Sequence, residues 1–456
     1  MRLTPKGFRR FKSSRLRKKS RLGEYFILLD RIVKSQVLLL CIVVINLNKL
    51  ISAFKVSKNQ SIYDPDLVNY YEPISKNLYS YYSPNAINDH LSAQVTPIFP
   101  IFLRILQNRS NAMLAIVLLS FIILFLVYLI STKLLPKDWT LVPVLILSIE
   151  PSFYAASLNL APEIIYSTAL VAGVYFAVYQ PFRNHQINSL LFCFFIGISV
   201  IIRPIAIVLV AFVFVAYFYR MVKNLTAIYF LSATVLVLPS VAWSMRNYFE
   251  FGFFNVSSIS AHNLLWYEGV PAFAHENNLT FEEATTVEFE RKRNFLGSTP
   301  NVIDNYTYNN NRGYELMIEH PKGLLISHIY GLPKILFGIF KSKFSIILNY
   351  IYNINGELVV GIIFIIFGMC VLFIWILFLL GMKSTSESNF LVFALFALIT
   401  VSSILPASGQ VAYARFRSPI MPFVCIISAV GLVKLKESYL KKKNEVNWRS
   451  PVGRPK

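Results

Sequence analysis

Apolar residues in this chain run together in long uninterrupted stretches, without the three-to-four-residue alternation of half-buried helices. A run of about 20 apolar residues spans a bilayer as a helix. On that basis spans are expected at about 35–54, 113–131, 139–157, 162–180, 188–202, 204–219, 227–245, 357–382, 389–406 and 418–434. Between them lie two long polar stretches, about 55–112 and 246–355. The segment 323–341 could also span, but His328, Pro333 and Lys334 favour a helix lying at the interface. The pattern predicts an all-α polytopic membrane protein of about ten transmembrane helices. Juxtamembrane helices are expected in the first outer loop, and a longer outer loop late in the chain.

Composition agrees. Of 456 residues, 55% are hydrophobic and only 15% charged, where a soluble domain carries about 25%. The formal charge is nevertheless +21. Its placement excludes nucleic acid as the partner, because the excess lies beside the expected spans. Residues 1–34 form one basic tail and 436–456 another, flanking a membrane domain at 35–435. Lys133, Lys137, Arg183, Arg220, Lys223 and Lys383 lie in short loops on the same side as both tails, and the acids collect in the two long loops. The positive-inside rule then makes the tails cytoplasmic and the long loops non-cytoplasmic. The expected setting is the bacterial inner membrane. The four cysteines, Cys41, Cys193, Cys370 and Cys425, lie in apolar runs and read as packing residues.

Few ionisable residues fall in the spans, and most of those collect at the outer face. Lys49 is expected to snorkel to that interface. Asp64 and Asp66 follow the first span in SIYDPDLVNYY, just before a Tyr-rich stretch of helical spacing. A carboxylate there can serve as general base towards a hydroxyl or amine. It can equally cap a turn or the next helix. Glu163 follows Pro162, as ordinary helix-start chemistry or as a second acid facing the same cavity. Glu150-Pro151 has the same two readings, and there the structural one is favoured. Arg203, Arg246, Arg415 and Arg417 stand at outer ends of spans. Each could snorkel, but four at one surface suit a phosphate. No Walker or Rossmann fingerprint points to a nucleotide.

Taken in order, these motifs resemble the GT-C superfamily of polyprenyl-phosphate-sugar-dependent glycosyltransferases, in the branch akin to bacterial protein O-mannosyltransferases and lipid A aminoarabinose transferases. The resemblance covers about 35–435. It is carried by Asp66, Tyr71 and Leu78, then Pro97 and Pro100, Pro151, Glu163, and Arg203-Pro204. Pro239, Arg246, Asn247 and Gly252 follow, and Arg415, Arg417, Pro419 and Pro422 close the series. It implies inverting transfer of a sugar from a polyprenyl phosphate to a lipid, glycan or protein acceptor on the non-cytoplasmic side. Asp66 would be the base, with Asp64 as the alternate, since Pro65 separates what is often an adjacent acidic pair. Glu163 would be the second acidic position. Arg415, Arg417, Arg246 and Arg203 would hold the donor phosphate. No cofactor is assigned, and the chemistry leaves room for a divalent metal. The alternatives are an O-antigen-type polymerase or ligase, whose donor is a lipid pyrophosphate-linked saccharide, and a transporter or flippase for lipid-linked sugars.

Overall fold

The computed structural model describes residues 36–57, 65–82, 90–224, 226–297, 300–338, 357–383, 389–410 and 412–448, with two isolated residues besides. Asp64 and the basic tail 1–34 lie outside the described residues. Those described form helices, and no strand occurs among them.

The apolar runs form α1 (Gln36–Ser57), α2 (Arg109–Leu134), α3 (Val142–Ile149), α4 (Pro151–Ser157), α5 (Glu163–Val178), α6 (His185–Val200), α7 (Ile207–Asn224) and α8 (Ala227–Phe251). A polar layer follows: α9 (Val270–Glu276), α10 (Phe281–Leu296), α11 (Val302–Glu319) and α12 (Pro321–Phe337). The chain then returns to apolar helices α13 (Glu357–Lys383), α14 (Phe390–Ile404) and α15 (Met421–Trp448). Among the described residues, seven helices are long and apolar enough to cross a membrane, or eight if a bent pair counts as one span. The expected spans near 162–180 and 188–202 are the shorter apolar helices α5 and α6. The expected span at 139–157 is the bent pair, α3 and α4 meeting at 67°. Pro151 is the cause, because the residue before a proline is pushed out of the helical region. Glu150 accordingly takes φ −65 and ψ 122.

The bundle packs through small residues, as helices in lipid do. On α13, a Cβ at Gly381 would sit 2.1 Å from the Ile427 carbonyl, and one at Gly431 on α15 would sit 2.0 Å from the Leu377 carbonyl. The two backbones therefore touch. Lys49 does not snorkel as expected. It is buried, with its ammonium 5.1 Å over the Phe153 ring and 5.6 Å over Tyr154, and makes no hydrogen bond among the described residues. Both rings lie on α4, beyond the bend, and cover the ammonium.

Several helix ends meet at one end of the bundle. Arg109, opening α2, donates to both Glu72 oxygens, with Nη2 2.7 Å from Oε2. Arg246, near the end of α8, donates to the carbonyls of Tyr81 (2.8 Å) and Ser92 (3.2 Å). These contacts anchor residues 65–82 and 90–106 on the bundle. At the opposite end Lys133 lies 5.0 Å over Tyr179, and Lys436 5.2 Å over Trp139. The segment expected as the C-terminal tail begins inside α15, which continues as helix to Trp448.

The polar layer docks through α12. Gly331 lies against the turn after α14, where a Cβ would meet the Ser408 carbonyl at 1.9 Å. His328 Nδ1 is 2.7 Å from Ser408 Oγ, and Nε2 is 3.0 Å from Glu268. The Ser408 hydroxyl already donates to the Leu405 carbonyl. It must therefore accept from His328 Nδ1, and with the Glu268 carboxylate beside Nε2 the imidazolium is the matching form. The Glu268 hydrogen bond holds the His328 pKa above its ordinary value. With the folded pKa raised, this contact stabilises fully below the unfolded value of about 6.5 and is lost as pH rises through the folded value. The thermal stability of the full chain in detergent should therefore fall as pH rises from about 6.5, and His328→Gln should flatten that slope. An unchanged slope in the variant would contradict the assignment.

Candidate functional site: an interfacial cluster of two acids and two arginines

Four chain segments bring one charged side chain each to the end of the bundle described above. Asp66 precedes the short helix Leu67–Tyr71. Its side chain makes no capping hydrogen bond there, so the capping role weighed from sequence does not hold for it. Its side chain is 41% exposed. Glu163 opens α5, where the helix N-terminus favours a carboxylate, and only 3% of its side chain is exposed. Arg203 precedes Pro204, which ends α6 and holds Arg203 extended at φ −140 and ψ 117. Arg415 lies in the 3₁₀ run Ala414–Ile420 that leads into α15.

These four meet. Arg203 Nη2 is 3.3 Å from Glu163 Oε1, and Arg415 Nη2 is 3.1 Å from Asp66 Oδ2. Arg415 Nε lies 4.0 Å from Glu163 Oε1, which links the two pairs. Both guanidiniums also lie 5.4 Å over the Phe416 ring. The second Glu163 oxygen is buried and has no hydrogen-bond partner among the described residues. A buried acceptor without a partner is costly, so this oxygen can accept from a further donor.

Tyr71 stands beside it, packed edge-on at 4.7 Å against Phe99. Burial, and behind it Arg203, Glu163, Asp66 and Arg415, act on its phenol, and the net effect raises its pKa. The phenol thus stays protonated and can only donate or accept as O–H. From the polar layer, Tyr267 comes within electrostatic range of Asp66 and Arg415; burial first and Tyr413 second raise its pKa. Tyr267, Tyr413 and Phe416 carried no signal in the sequence, since the fold alone brings 267 near 66.

The other two arginines make their described contacts elsewhere. A 3₁₀ helix turns once per three residues, so Arg415 and Arg417, two apart, point to different sides. Arg417 is fully buried. It donates through Nη2 (2.9 Å) and Nε (3.3 Å) to Glu150 Oε1, and through Nη1 to the carbonyls of Ile335 and Leu336. Glu150 also accepts from Ser152 Oγ at 2.6 Å and from the Phe153 amide at 2.7 Å, capping α4. The structural reading of Glu150 therefore describes its contacts. Arg246 donates to Asn247 besides the two carbonyls above, and lies 4.9–5.6 Å over Phe251, Trp243 and Tyr82. Neither Arg417 nor Arg246 faces Asp66 among the contacts described.

For a metal, the described residues offer the Asp66 and Glu163 carboxylates here, each already against an arginine. No group of three or more histidine, cysteine or acidic ligands occurs among the described residues.

No family model matches the chain, and no curated protein matches it. Two solved structures of the Archaeoglobus fulgidus oligosaccharyltransferase are similar to it. The apo form has a TM-score of 0.46 at 13% identity, covering 92% of this chain and 53% of that one. The complex with Zn and sulfate has a TM-score of 0.43 at 12% identity, covering 87% and 49%. The chain thus spans about half the length of the structures it matches.

Breaking the buried pair tests whether it positions the cluster. Arg417→Ala leaves Glu150 charged and buried, a change that typically costs about 3–5 kcal/mol. Thermal unfolding in detergent should show that loss. The joint Glu150→Gln, Arg417→Met change should recover part of it, because no lone charge remains. Equal loss in single and double variants would contradict a net desolvation penalty.

Proposed function

We propose that this chain is a GT-C-type membrane glycosyltransferase that moves a sugar from a polyprenyl phosphate to an acceptor on the non-cytoplasmic side, with inversion. One observation carries the reading: Asp66, Glu163, Arg203 and Arg415, distant in sequence, converge at one end of an apolar bundle. The reaction needs a base, a cation for the departing phosphate, and access from both lipid and water. A part-exposed carboxylate and two guanidiniums at one end of the apolar bundle support that reading.

Asp66, the more exposed acid, takes the proton from the acceptor hydroxyl. The acceptor oxygen forms its bond to the anomeric carbon as the carbon–oxygen bond to phosphate breaks on the opposite face. The electron pair leaves with the phosphate, and Arg203 and Arg415 stabilise that anion. Without donor, the two carboxylates neutralise the two guanidiniums. The donor phosphate replaces a carboxylate as partner, which turns Arg415 away from Asp66 and leaves that carboxylate basic. Glu163 stays buried and keeps the arginines in the site. Arg417 acts through position, by fixing the segment that carries Arg415. The reading assigns donor phosphate binding to Arg203 and Arg415, and not to Arg417, which is bound to Glu150 and two carbonyls, or to Arg246, whose two Nη groups hold Tyr81, Ser92 and Asn247. Asp64 remains the alternate base.

Transfer of a labelled sugar from polyprenyl phosphate in membranes tests this. Asp66→Asn should lower transfer about 10²–10⁴-fold, the usual range for a lost general base, while expression and unfolding temperature hold. Near-full transfer in both Asp66→Asn and Asp64→Asn would overturn the base assignment. Transfer only from a pyrophosphate-linked saccharide would favour the polymerase or ligase reading.

A further inference from the structure

The polar layer holds a cavity of about 730 Å³, between α10 and α11, whose lining includes none of the four residues of the charged cluster. That size suits a small ligand. Its walls combine two kinds of chemistry. Phe273, Phe295 and Tyr308 present aromatic surface, with Phe295 and Tyr308 5.5 Å apart. Arg312, Asp304 and Glu315 present planar polar groups, both donors and acceptors.

The polar walls are held from beneath. Glu288, buried on α10, accepts from Tyr308 Oη at 2.7 Å and from Arg312 Nε at 3.3 Å. Arg312 Nη1 reaches Glu315 at 2.8 Å. One buried carboxylate thus fixes an aromatic ring and a guanidinium in the same wall, which is how a binding site is preorganised. By contrast, Phe295 is 75% exposed at the rim, a large apolar face with water on it.

The charge balance narrows the ligand. Two arginines line the cavity against three acids, Asp304, Glu315 and Glu319, and Arg312 is already paired. A phosphate or other anion would meet net negative charge. A lipid tail would meet ionised groups. A sugar ring fits both surfaces, because its C–H face stacks on aromatic rings while its hydroxyls both donate and accept.

We propose that this cavity is a carbohydrate-binding site for an uncharged saccharide. In the context of the transferase reading, it would hold the glycan part of a substrate away from the membrane, but the binding itself does not depend on that reading.

The test uses the full chain in nanodiscs, applied to an array of neutral and acidic glycans, with hits confirmed by saturation-transfer NMR. Neutral glycans should bind and acidic ones should not. Phe295→Ala and Asp304→Asn should each weaken binding about tenfold or more, with unfolding temperature unchanged. Asp66→Asn should bind as the wild type does, so a failed transferase reading would leave this result intact. Silence across the neutral glycans, preference for acidic ones, or undiminished binding in both cavity variants would overturn the proposal.

Discussion

A guanidinium and a carboxylate taken out of water each cost several kcal/mol unless hydrogen bonds and mutual attraction offset the loss. Arg417 and Glu150 are both fully buried, and together they satisfy that condition. Arg417 reaches Glu150 and two carbonyls at the end of α12, while Glu150 caps α4 across the bend. The pair thus joins the broken span, the polar layer and the run leading into α15. It fixes the segment 414–420, and with it the direction in which Arg415 points. If that contact moved, the neighbouring cluster would lose one of its four charges.

The proposed chemistry rests on a second balance, between two acids and two arginines. In water such a set would contribute little, since exposed ion pairs are worth about 0–1 kcal/mol. Here Glu163 is buried and both guanidiniums are mostly covered. Low local polarity strengthens each interaction and raises the cost of any unmatched charge. In the proposed reaction an entering anion would therefore change the partners of the whole cluster. A proline or a 3₁₀ run sets the backbone where three of these residues are supplied: Pro162 before Glu163, Pro204 after Arg203, and 414–420 at Arg415.

Much of this was legible in the sequence. Long apolar runs predicted the helices, because lipid demands internally bonded backbone. Asp66, Glu163, Arg203 and Arg415 were named from their places beside the spans, and the fold brings them together. Arg417 and Arg246 were grouped with them because they too stand at outer ends of spans, and place along a span does not give a side chain's direction. Two residues in a 3₁₀ run face apart, and a carbonyl acceptor leaves no mark in sequence. Lys49 misled for the same reason: snorkelling is the default, and the Phe153 and Tyr154 rings that enclose it come from a distant bend. The contribution of Tyr267 required the tertiary fold. Asp64 lies outside the described residues.

The central claim is that Arg415 exchanges the Asp66 carboxylate for a donor phosphate. Binding of an unreactive polyprenyl phosphate to the chain in nanodiscs tests it most directly. Removing the competing charge with Asp66→Asn should tighten that binding, and Arg415→Ala should weaken it. Unchanged or weaker binding in Asp66→Asn would contradict the exchange.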